Sequence, residues 1–252
     1  MSGILENKKI VIMGVANKRS IAWGCAKVMA EQGAEIIYTY NRDRTLKSIK
    51  KLVDDDNRLI QCDASNEASI QQAFDTILER FGKVDGIVHS IAFANQEDLG
   101  GEIMDVTEEG YNLAQDVSAY SLIAVARNGR KILNDPASIV AMSYFGAERA
   151  IPNYNVMGVA KAALEANVRY LARDMGKYGV RVNAISAGAI KTLAVTGVQG
   201  HKDLLRMSQE RTVDGKDATQ EEVGGTCAFL MSDLSTGVVG DVIYVDKGVH
   251  LI

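Results

Sequence analysis

The chain has 252 residues, a hydrophobic content of 47%, a charged content of 24% and a formal net charge of -4 at pH 7. This length supports one large domain or two small ones, and the composition is that of an ordinary globular protein. The negative balance argues against a nucleic-acid partner, and no apolar run approaches the ~20 residues that cross a membrane. Met1 to Lys9 lacks the apolar stretch of a signal peptide, and the scattered Cys25, Cys62 and Cys227 show no metal-ligand spacing. We therefore expect a cytoplasmic protein with reduced thiols and no metal site.

Short β-branched runs alternate with longer helical patterns along the whole chain. Strands are predicted at Ile10–Met13, Glu35–Tyr40, Leu59–Cys62, Gly86–Ser90, Ser138–Ser143, Val180–Ser186 and Val242–Val245. Helices are predicted at Ser20–Gln32, Thr45–Val53, Ser65–Arg80, Thr107–Leu133, Asn153–Lys177 and Glu221–Ser232. This alternation indicates a parallel sheet covered by helices on both faces. Because no linker or repeat interrupts it, residues 1–252 are predicted to form one doubly wound α/β domain with seven strands.

The segment at about 189–219 departs from this alternation. It follows the sixth predicted strand and combines glycines with mixed polarity. A long irregular insertion near the carboxyl ends of parallel strands often covers an active site. We predict a substrate lid here, and a surface excursion with no role is the alternative.

The turn after the first strand has features of a nucleotide-binding loop. Gly14 allows a tight turn, and the helix that opens at Ser20 and Ile21 offers free N–H groups to a pyrophosphate. The loop does not have the usual G-x-G-x-x-G/A spacing, so its position after the first strand carries the prediction.

Residues after the next three strands complete this predicted nucleotide end. Asn41 can bind a ribose hydroxyl, while Arg42 and Arg44 can accommodate a 2′-phosphate or simply begin a solvated helix. The choice between NADH and NADPH therefore stays open. Asp63 and Ala64 are candidates for the adenine edge, and Ile91 for the floor beneath the nicotinamide ribose. His89 is expected to pack within its strand and not to carry protons.

Two tyrosines and a lysine form the most specific pattern of the chain. Tyr144 and Tyr154 stand ten positions apart, and Lys161 follows Tyr154 by seven. On a helix, Lys161 lies about 10.5 Å beyond Tyr154 on nearly the same face, whereas a Tyr-x3-Lys spacing gives about 6 Å. Gly158 occupies the position that the shorter spacing would give to lysine. A phenol and an ammonium in one cleft can polarise an oxygen and hold a ribose.

These segments resemble the enoyl-(acyl carrier protein) reductases of bacterial fatty-acid synthesis, a divergent branch of the short-chain dehydrogenase/reductase superfamily. The likeness runs from about Leu5 to Val249 and is carried by the Tyr-x6-Lys spacing with Tyr144 ten residues earlier. It implies a Rossmann fold and the reduction, by NADH or NADPH, of a trans-2-enoyl thioester on acyl carrier protein. Homotetramers are common in this family.

The resemblance also implies roles for individual residues. Tyr154 would stabilise the enolate, Lys161 would hold the nicotinamide ribose, and Tyr144 would line the acyl pocket and assist. Ala94 would contact the substrate. The nicotinamide would be covered by Ile190, Lys191, Thr192, Leu193 and Ala194.

Two rival functions are compatible with the same predicted fold. A carbonyl reductase or alcohol dehydrogenase is disfavoured by Gly158 in place of lysine and by Tyr144 in place of serine. A non-catalytic sensor of nucleotide ratio would not need Tyr154 or Lys161.

Overall fold

A computed structural model describes residues 3–192 and 200–251 and contains the predicted seven-stranded sheet. Every neighbouring pair of strands is parallel, and the strand order is β3-β2-β1-β4-β5-β6-β7. The strands are β1 Lys9–Met13, β2 Glu35–Tyr40, β3 Leu59–Gln61, β4 Val84–His89, β5 Leu133–Tyr144, β6 Val180–Ala187 and β7 Val242–Val245. The prediction of a doubly wound Rossmann fold is therefore confirmed.

Helices cover both faces of this sheet. They are α1 Ile21–Glu31, α2 Asp43–Ile49, α3 Glu67–Phe81, α4 Gln96–Leu99, α5 Glu108–Gln115, α6 Ser121–Gly129, α7 Asn155–Met175, α8 His201–Glu210 and α9 Gln220–Met231. Within the described ranges 3–192 and 200–251, none of the helices combines the length and apolarity needed to cross a bilayer.

Two hydrophobic clusters, one on each face of the sheet, form the core. Along β4, the buried side chain of Ile87 belongs to the cluster beneath α3, α6 and α7, and that of Val88 to the cluster beneath α1 and α9. This alternation is the period-2 pattern of a strand that is covered on both sides. The sheet is therefore packed on both faces. Because all its strands are parallel, their carboxyl ends lie along one side of the sheet, where the candidate site is found.

The helix predicted at Thr107–Leu133 is wrong as a single element. It is divided into α5 and α6 by a π-helical turn at Asp116–Tyr120, and Leu133 already belongs to β5. Within the π turn, the hydroxyl of Ser118 accepts from the Phe93 N–H at 3.0 Å and donates to the Phe93 carbonyl oxygen at 3.1 Å. A side chain that binds a neighbouring loop in this way favours a local break in the helical ladder.

Several boundaries also differ from the predictions: β5 begins at Leu133 and not at Ser138, α2 covers Asp43–Ile49 and not Thr45–Val53, and α7 and the lid differ as follows. Helix α7 begins at Asn155, because Asn153 has a left-handed backbone with φ 59° and Tyr154 is the N-cap residue. The predicted lid at about 189–219 is not irregular throughout, since it contains α8. Residues 193–199 of this segment lie outside the described residues.

Helices α1 and α9 pack in close contact. A Cβ atom on Gly24 would lie 2.4 Å from the Cβ of Gln220, and one on Gly224 would lie 2.8 Å from the carbonyl oxygen of Gly24. The Gln220 side-chain amide also donates to the carbonyl oxygen of Ser20 at 2.7 Å. Only glycine allows this separation, so the first turn of α9 is fixed against the first turn of α1.

Candidate active site

The candidate site lies where the strand order reverses between β1 and β4, at the carboxyl ends of the strands. Parallel α/β sheets bind ligands at this point. A cavity of about 450 Å³ opens there. Its lining includes Gly14, Ser20, Ile21, Ile91, Ala94, Tyr144, Tyr154, Lys161, Ala189, Ile190 and Thr192. The fold therefore brings candidate residues from five separate segments of the chain to one cavity.

The loop after β1 packs closely on the loop that follows β4. Gly14 has φ 100°, and a Cβ atom there would lie 2.0 Å from the carbonyl oxygen of Ser90. The Ser20 hydroxyl accepts from the N–H groups of Ala16 and Asn17, each at 3.0 Å. The position of Ser20 and Ile21 at the start of α1 fits the anion-binding end of a helix.

A second cavity of about 280 Å³ adjoins the first and is lined by Asn41, Arg42, Asp63, Ala64 and Ile91. The Asn41 carboxamide oxygen accepts from Thr45 at 3.2 Å, and the Asp63 carboxylate accepts from the backbone and hydroxyl of Ser65. Arg44 is not among the residues that line this cavity. Gly14 and Ile91 belong to both cavities, so the two together fit an extended dinucleotide.

The two tyrosines meet at the centre of the first cavity. Tyr144 ends β5, Tyr154 precedes α7, and their ring centroids are 4.9 Å apart at 75°, an edge-to-face contact. Burial, with a smaller effect of the neighbouring Tyr144, raises the pKa of Tyr154, and burial also raises the pKa of Tyr144. Both phenols therefore retain their protons at neutral pH and can donate hydrogen bonds.

Lys161 projects from α7 toward the same strand end. Its side chain is buried, with 5% exposure, and its ammonium donates to the carbonyl oxygen of Met142 at 2.7 Å. Burial lowers the pKa of Lys161 to about 8, and the negative charge of Glu165 acts in the opposite direction. A lysine with this pKa is sensitive to small changes in its surroundings near neutral pH.

Close packing explains why position 158 holds a glycine and not a lysine. A Cβ atom at 158 would lie 2.8 Å from the carbonyl oxygen of Gly146, in the turn that follows β5. A Cβ atom at Gly146 would in turn lie 2.6 Å from a ring carbon of Tyr154. The turn thus packs directly on α7, and a side chain at either position would displace the tyrosines.

His89 is a packed strand residue, as predicted. It is fully buried in β4, and its Nε2 lies 2.8 Å from the Ser121 hydroxyl, which itself donates to the Val117 carbonyl oxygen at 2.7 Å. That hydroxyl can only accept from the ring, so Nε2 carries the proton. Burial, followed by the charge of Lys161, lowers the pKa of His89 to about 3. The imidazole is therefore neutral throughout the physiological range.

The covering segment is described only in part. Ala189, Ile190 and Thr192 line the first cavity, whereas Lys191 is exposed and is not among its lining residues. Leu193 and Ala194, which the sequence also assigned to the cofactor, lie outside the described residues. Across ranges 3–192 and 200–251, no group of three or more metal-ligating side chains is found.

The sequence analysis did not single out Glu165 and the hydroxyl of Ser143. Glu165 is buried one helical turn after Lys161, and its carboxylate accepts from the Ser143 hydroxyl at 2.5 Å. The available signal was the i,i+4 spacing of a lysine and a glutamate on one helix.

Comparison with known proteins shows which family has this sequence and fold. Residues 14–250 match the sequence family described as Enoyl-(Acyl carrier protein) reductase. The chain is 57% identical over 247 residues to an enoyl-(acyl carrier protein) reductase of Enterococcus faecalis whose name carries NADH, with 98% of this chain and 99% of the relative covered. It is 50% identical over 252 residues to a Staphylococcus aureus relative whose name carries NADPH, with 98% of each covered. A crystal structure of the Bacillus cereus reductase with NADP+ and indole naphthyridinone has a TM-score of 0.96 at 46% identity, with 99% of each chain covered.

Proposed function

The chain belongs to the enoyl-(acyl carrier protein) reductase family, and from this premise we propose how its own residues carry out the reaction. It is an enoyl-(acyl carrier protein) reductase of fatty-acid synthesis that depends on NADH or NADPH. The substrate is a trans-2-enoyl thioester, and the double bond is reduced at the β-carbon. The meeting of Tyr144, Tyr154 and Lys161 in one cavity, beside a second cavity that shares Gly14 and Ile91 with it, is the observation that supports this proposal.

The nucleotide is held along the two cavities. Gly14 would line the nucleotide site, Ser20 and Ile21 at the start of α1 would hold the pyrophosphate, and Asp63 with Ala64 would hold the adenine. Ile91, which lines both cavities, would contact the nicotinamide ribose. When bound, the reduced nicotinamide supplies a hydride. Ile190 and Thr192, which line the first cavity, would cover it.

Tyr154 acts on the thioester carbonyl. Its phenol keeps its proton at neutral pH, so it donates a hydrogen bond to the carbonyl oxygen as negative charge develops there. In an enoyl thioester this oxygen is two carbons from the carbon that is reduced. A phenol that stands further along the helix from lysine than in ketone reductases suits that separation.

Lys161 and Tyr144 support this donor. The Lys161 ammonium binds the ribose hydroxyls and supplies positive charge close to the developing enolate. The Tyr144 ring packs against that of Tyr154 and faces the acyl chain, together with Ala94. Lys161 is buried and both tyrosines are partly buried, which strengthens these electrostatic interactions because the effective dielectric constant is low.

We further propose that the segment at about 189–219 acts as a lid over cofactor and acyl chain, that the whole chain is one catalytic domain, and that it works as a cytoplasmic homotetramer. The family resemblance supports the last statement. Sedimentation of the purified protein tests the tetramer directly, and a monomer or dimer at micromolar concentration would contradict it.

Turnover of crotonyl thioester with NADH and NADPH in parallel tests the reaction. We expect oxidation of at least one nucleotide with loss of the conjugated double bond, and little turnover of the matching 3-oxoacyl thioester. Preferential reduction of the 3-oxoacyl substrate would instead favour a carbonyl reductase. Nucleotide binding without turnover of either substrate would favour the sensor.

A further inference from the structure

Glu165 is a buried carboxyl group beside the active site. It lies in α7, its side chain is 7% exposed, and its Oε1 accepts from the Ser143 hydroxyl at 2.5 Å. A buried carboxyl is costly unless it is hydrogen-bonded and compensated by charge. An O–H···O separation this short is typical of an ionised acceptor. The geometry therefore favours a carboxylate in this position.

Three consecutive residues of β5 each contact α7 or its N-cap residue, Tyr154. The carbonyl oxygen of Met142 accepts from Lys161, the hydroxyl of Ser143 donates to Glu165, and the ring of Tyr144 packs on that of Tyr154. The Ser143 contact is the middle one of the three. Because it joins a hydroxyl to a buried carboxylate, it fixes the strand end between two groups of the candidate site.

Glu165 also lies near the charge of Lys161. The two residues are one helical turn apart, on the same face of α7, and both are buried. Burial raises the pKa of Glu165, and the Ser143 hydrogen bond works against that rise. The other titratable or charged groups that face this pair are His89 of β4, Glu148 after β5, Arg169 of α7, and the phenols Tyr144 and Tyr154.

Between about pH 6.5 and 9, His89 stays neutral and both phenols stay protonated, because burial holds their pKa values outside this range. The carboxylate of Glu165, on the same face of α7, then supplies a negative charge that opposes the effect of burial on the Lys161 ammonium.

We propose that Glu165 is a positioning residue of the active site: its carboxylate keeps the Lys161 ammonium charged and, through Ser143, holds the end of β5 against α7. The consequence for cofactor binding rests on the ribose role proposed for Lys161, whereas the effect on Lys161 itself does not.

Glu165→Gln tests the charge, because glutamine keeps the size and an acceptor oxygen for Ser143. The wild-type and variant full-length proteins are labelled with [13Cε]lysine, and the Lys161 resonance is assigned by its loss in Lys161→Ala. We expect Lys161 to titrate near pH 8 in the wild type and about 1 pH unit lower in the variant, since its charged form loses an opposite charge. An unchanged midpoint would overturn the proposal.

Cofactor affinity provides the second measurement. The charged form of Lys161, which is proposed to bind the ribose, predominates below the pKa of this lysine and is lost above it. Reduced nucleotide should therefore bind Glu165→Gln about 5–10-fold more weakly than wild type at pH 8.5, but within about twofold at pH 6.5. Asp174→Asn removes one negative charge from an exposed site near the end of α7, about 20 Å along the axis from Lys161, and should match wild type at both pH values.

Failure of the proposed ribose role can be recognised separately. If the Lys161 resonance moves in Glu165→Gln while Lys161→Ala binds nucleotide normally, Glu165 controls the ammonium and the ribose role is wrong. Equal effects of Glu165→Gln and Asp174→Asn on nucleotide binding would instead reduce Glu165 to a contribution to net charge and overturn the proposal.

Ser143→Ala tests the attachment of the strand and serves also if Glu165→Gln does not fold. It removes the hydroxyl and leaves the carboxylate. We expect kcat with crotonyl thioester to fall about tenfold or more, because Tyr144 loses its fixed position, while nucleotide affinity at pH 6.5 stays within about twofold. An unchanged kcat in this variant would overturn the positioning role of the Ser143–Glu165 contact.

Discussion

An alanine at position 158 should destabilise this protein, although alanine normally stabilises a helix. Gly158 lies in the first turns of α7, where replacing glycine by alanine is worth about 0.5–1 kcal/mol in an open environment. Here the new Cβ atom would lie 2.8 Å from the Gly146 carbonyl oxygen, so the backbone of the turn has to move. Overpacking of this kind costs about 1–3 kcal/mol. We expect a net loss of about 1–2 kcal/mol in the free energy of unfolding.

Gly225→Ala is the matched control, because Gly225 lies in α9 and a Cβ atom there meets nothing within 4 Å. Denaturant or thermal unfolding of the two variants should give shifts of opposite sign. Gly158→Ala should melt about 2–8 °C below wild type, and Gly225→Ala should melt above it. Activity supplies an independent measurement. The displaced turn contacts Tyr154, so kcat of Gly158→Ala should fall about tenfold or more while Gly225→Ala keeps wild-type turnover.

A Gly158→Ala protein as stable as Gly225→Ala, or more stable than wild type, would refute this reasoning. It would mean that the turn around Gly146 relaxes without cost. Normal stability combined with a low kcat would retain the link between the turn and Tyr154, but the overpacking estimate would be wrong.

Tyr154→Phe keeps the ring that packs on Tyr144 and removes the hydroxyl donor, so kcat should fall about 10–1000-fold with nucleotide affinity nearly unchanged. Wild-type turnover in this variant would remove Tyr154 from the mechanism. Arg42 lines the second cavity and Arg44 does not, so Arg42→Ala should weaken NADPH use more than NADH use. Arg44→Ala is the control in the same steady-state assay. Equal effects of Arg42→Ala on both nucleotides would mean that this arginine is merely solvated. In hydrogen exchange, residues 200–219 should exchange rapidly in the free protein and be protected by nucleotide plus an enoyl analogue; strong protection in both states would make this segment a fixed part of the fold.

The architecture could be predicted because strand and helix patterns differ in period. The burial of Ile87 and Val88 on opposite faces of β4 is the structural basis of the continuous apolar runs that predicted a parallel sheet. The break at Asp116–Tyr120 could not be predicted in this way. A π turn changes the hydrogen-bonding ladder by one residue and leaves the apolar pattern of the sequence almost unchanged.

The candidate site likewise has residues that the sequence pattern predicts and residues that it does not. The tyrosines and the lysine could be predicted because their spacing within one segment is unusual. Glu165 could not, because its role depends on Ser143, 22 positions earlier in the chain, and the two meet only when β5 and α7 pack together. The asparagine at 153 shows a third limit: its left-handed backbone delays the start of α7 by two residues, so that Tyr154 caps the helix.

Because α1 and α9 are in close contact, sequence changes in the segment that precedes α9 need not affect the nucleotide loop that precedes α1. The segment at about 189–219 follows β6 and precedes Gln220, which is fixed to Ser20 by a hydrogen bond and packs closely on Gly24. Insertions and substitutions between these anchors need not alter the separation of α1 from α9. With the lid role proposed above, substrate range can diversify among descendants of such a protein while its nucleotide loop is inherited unchanged.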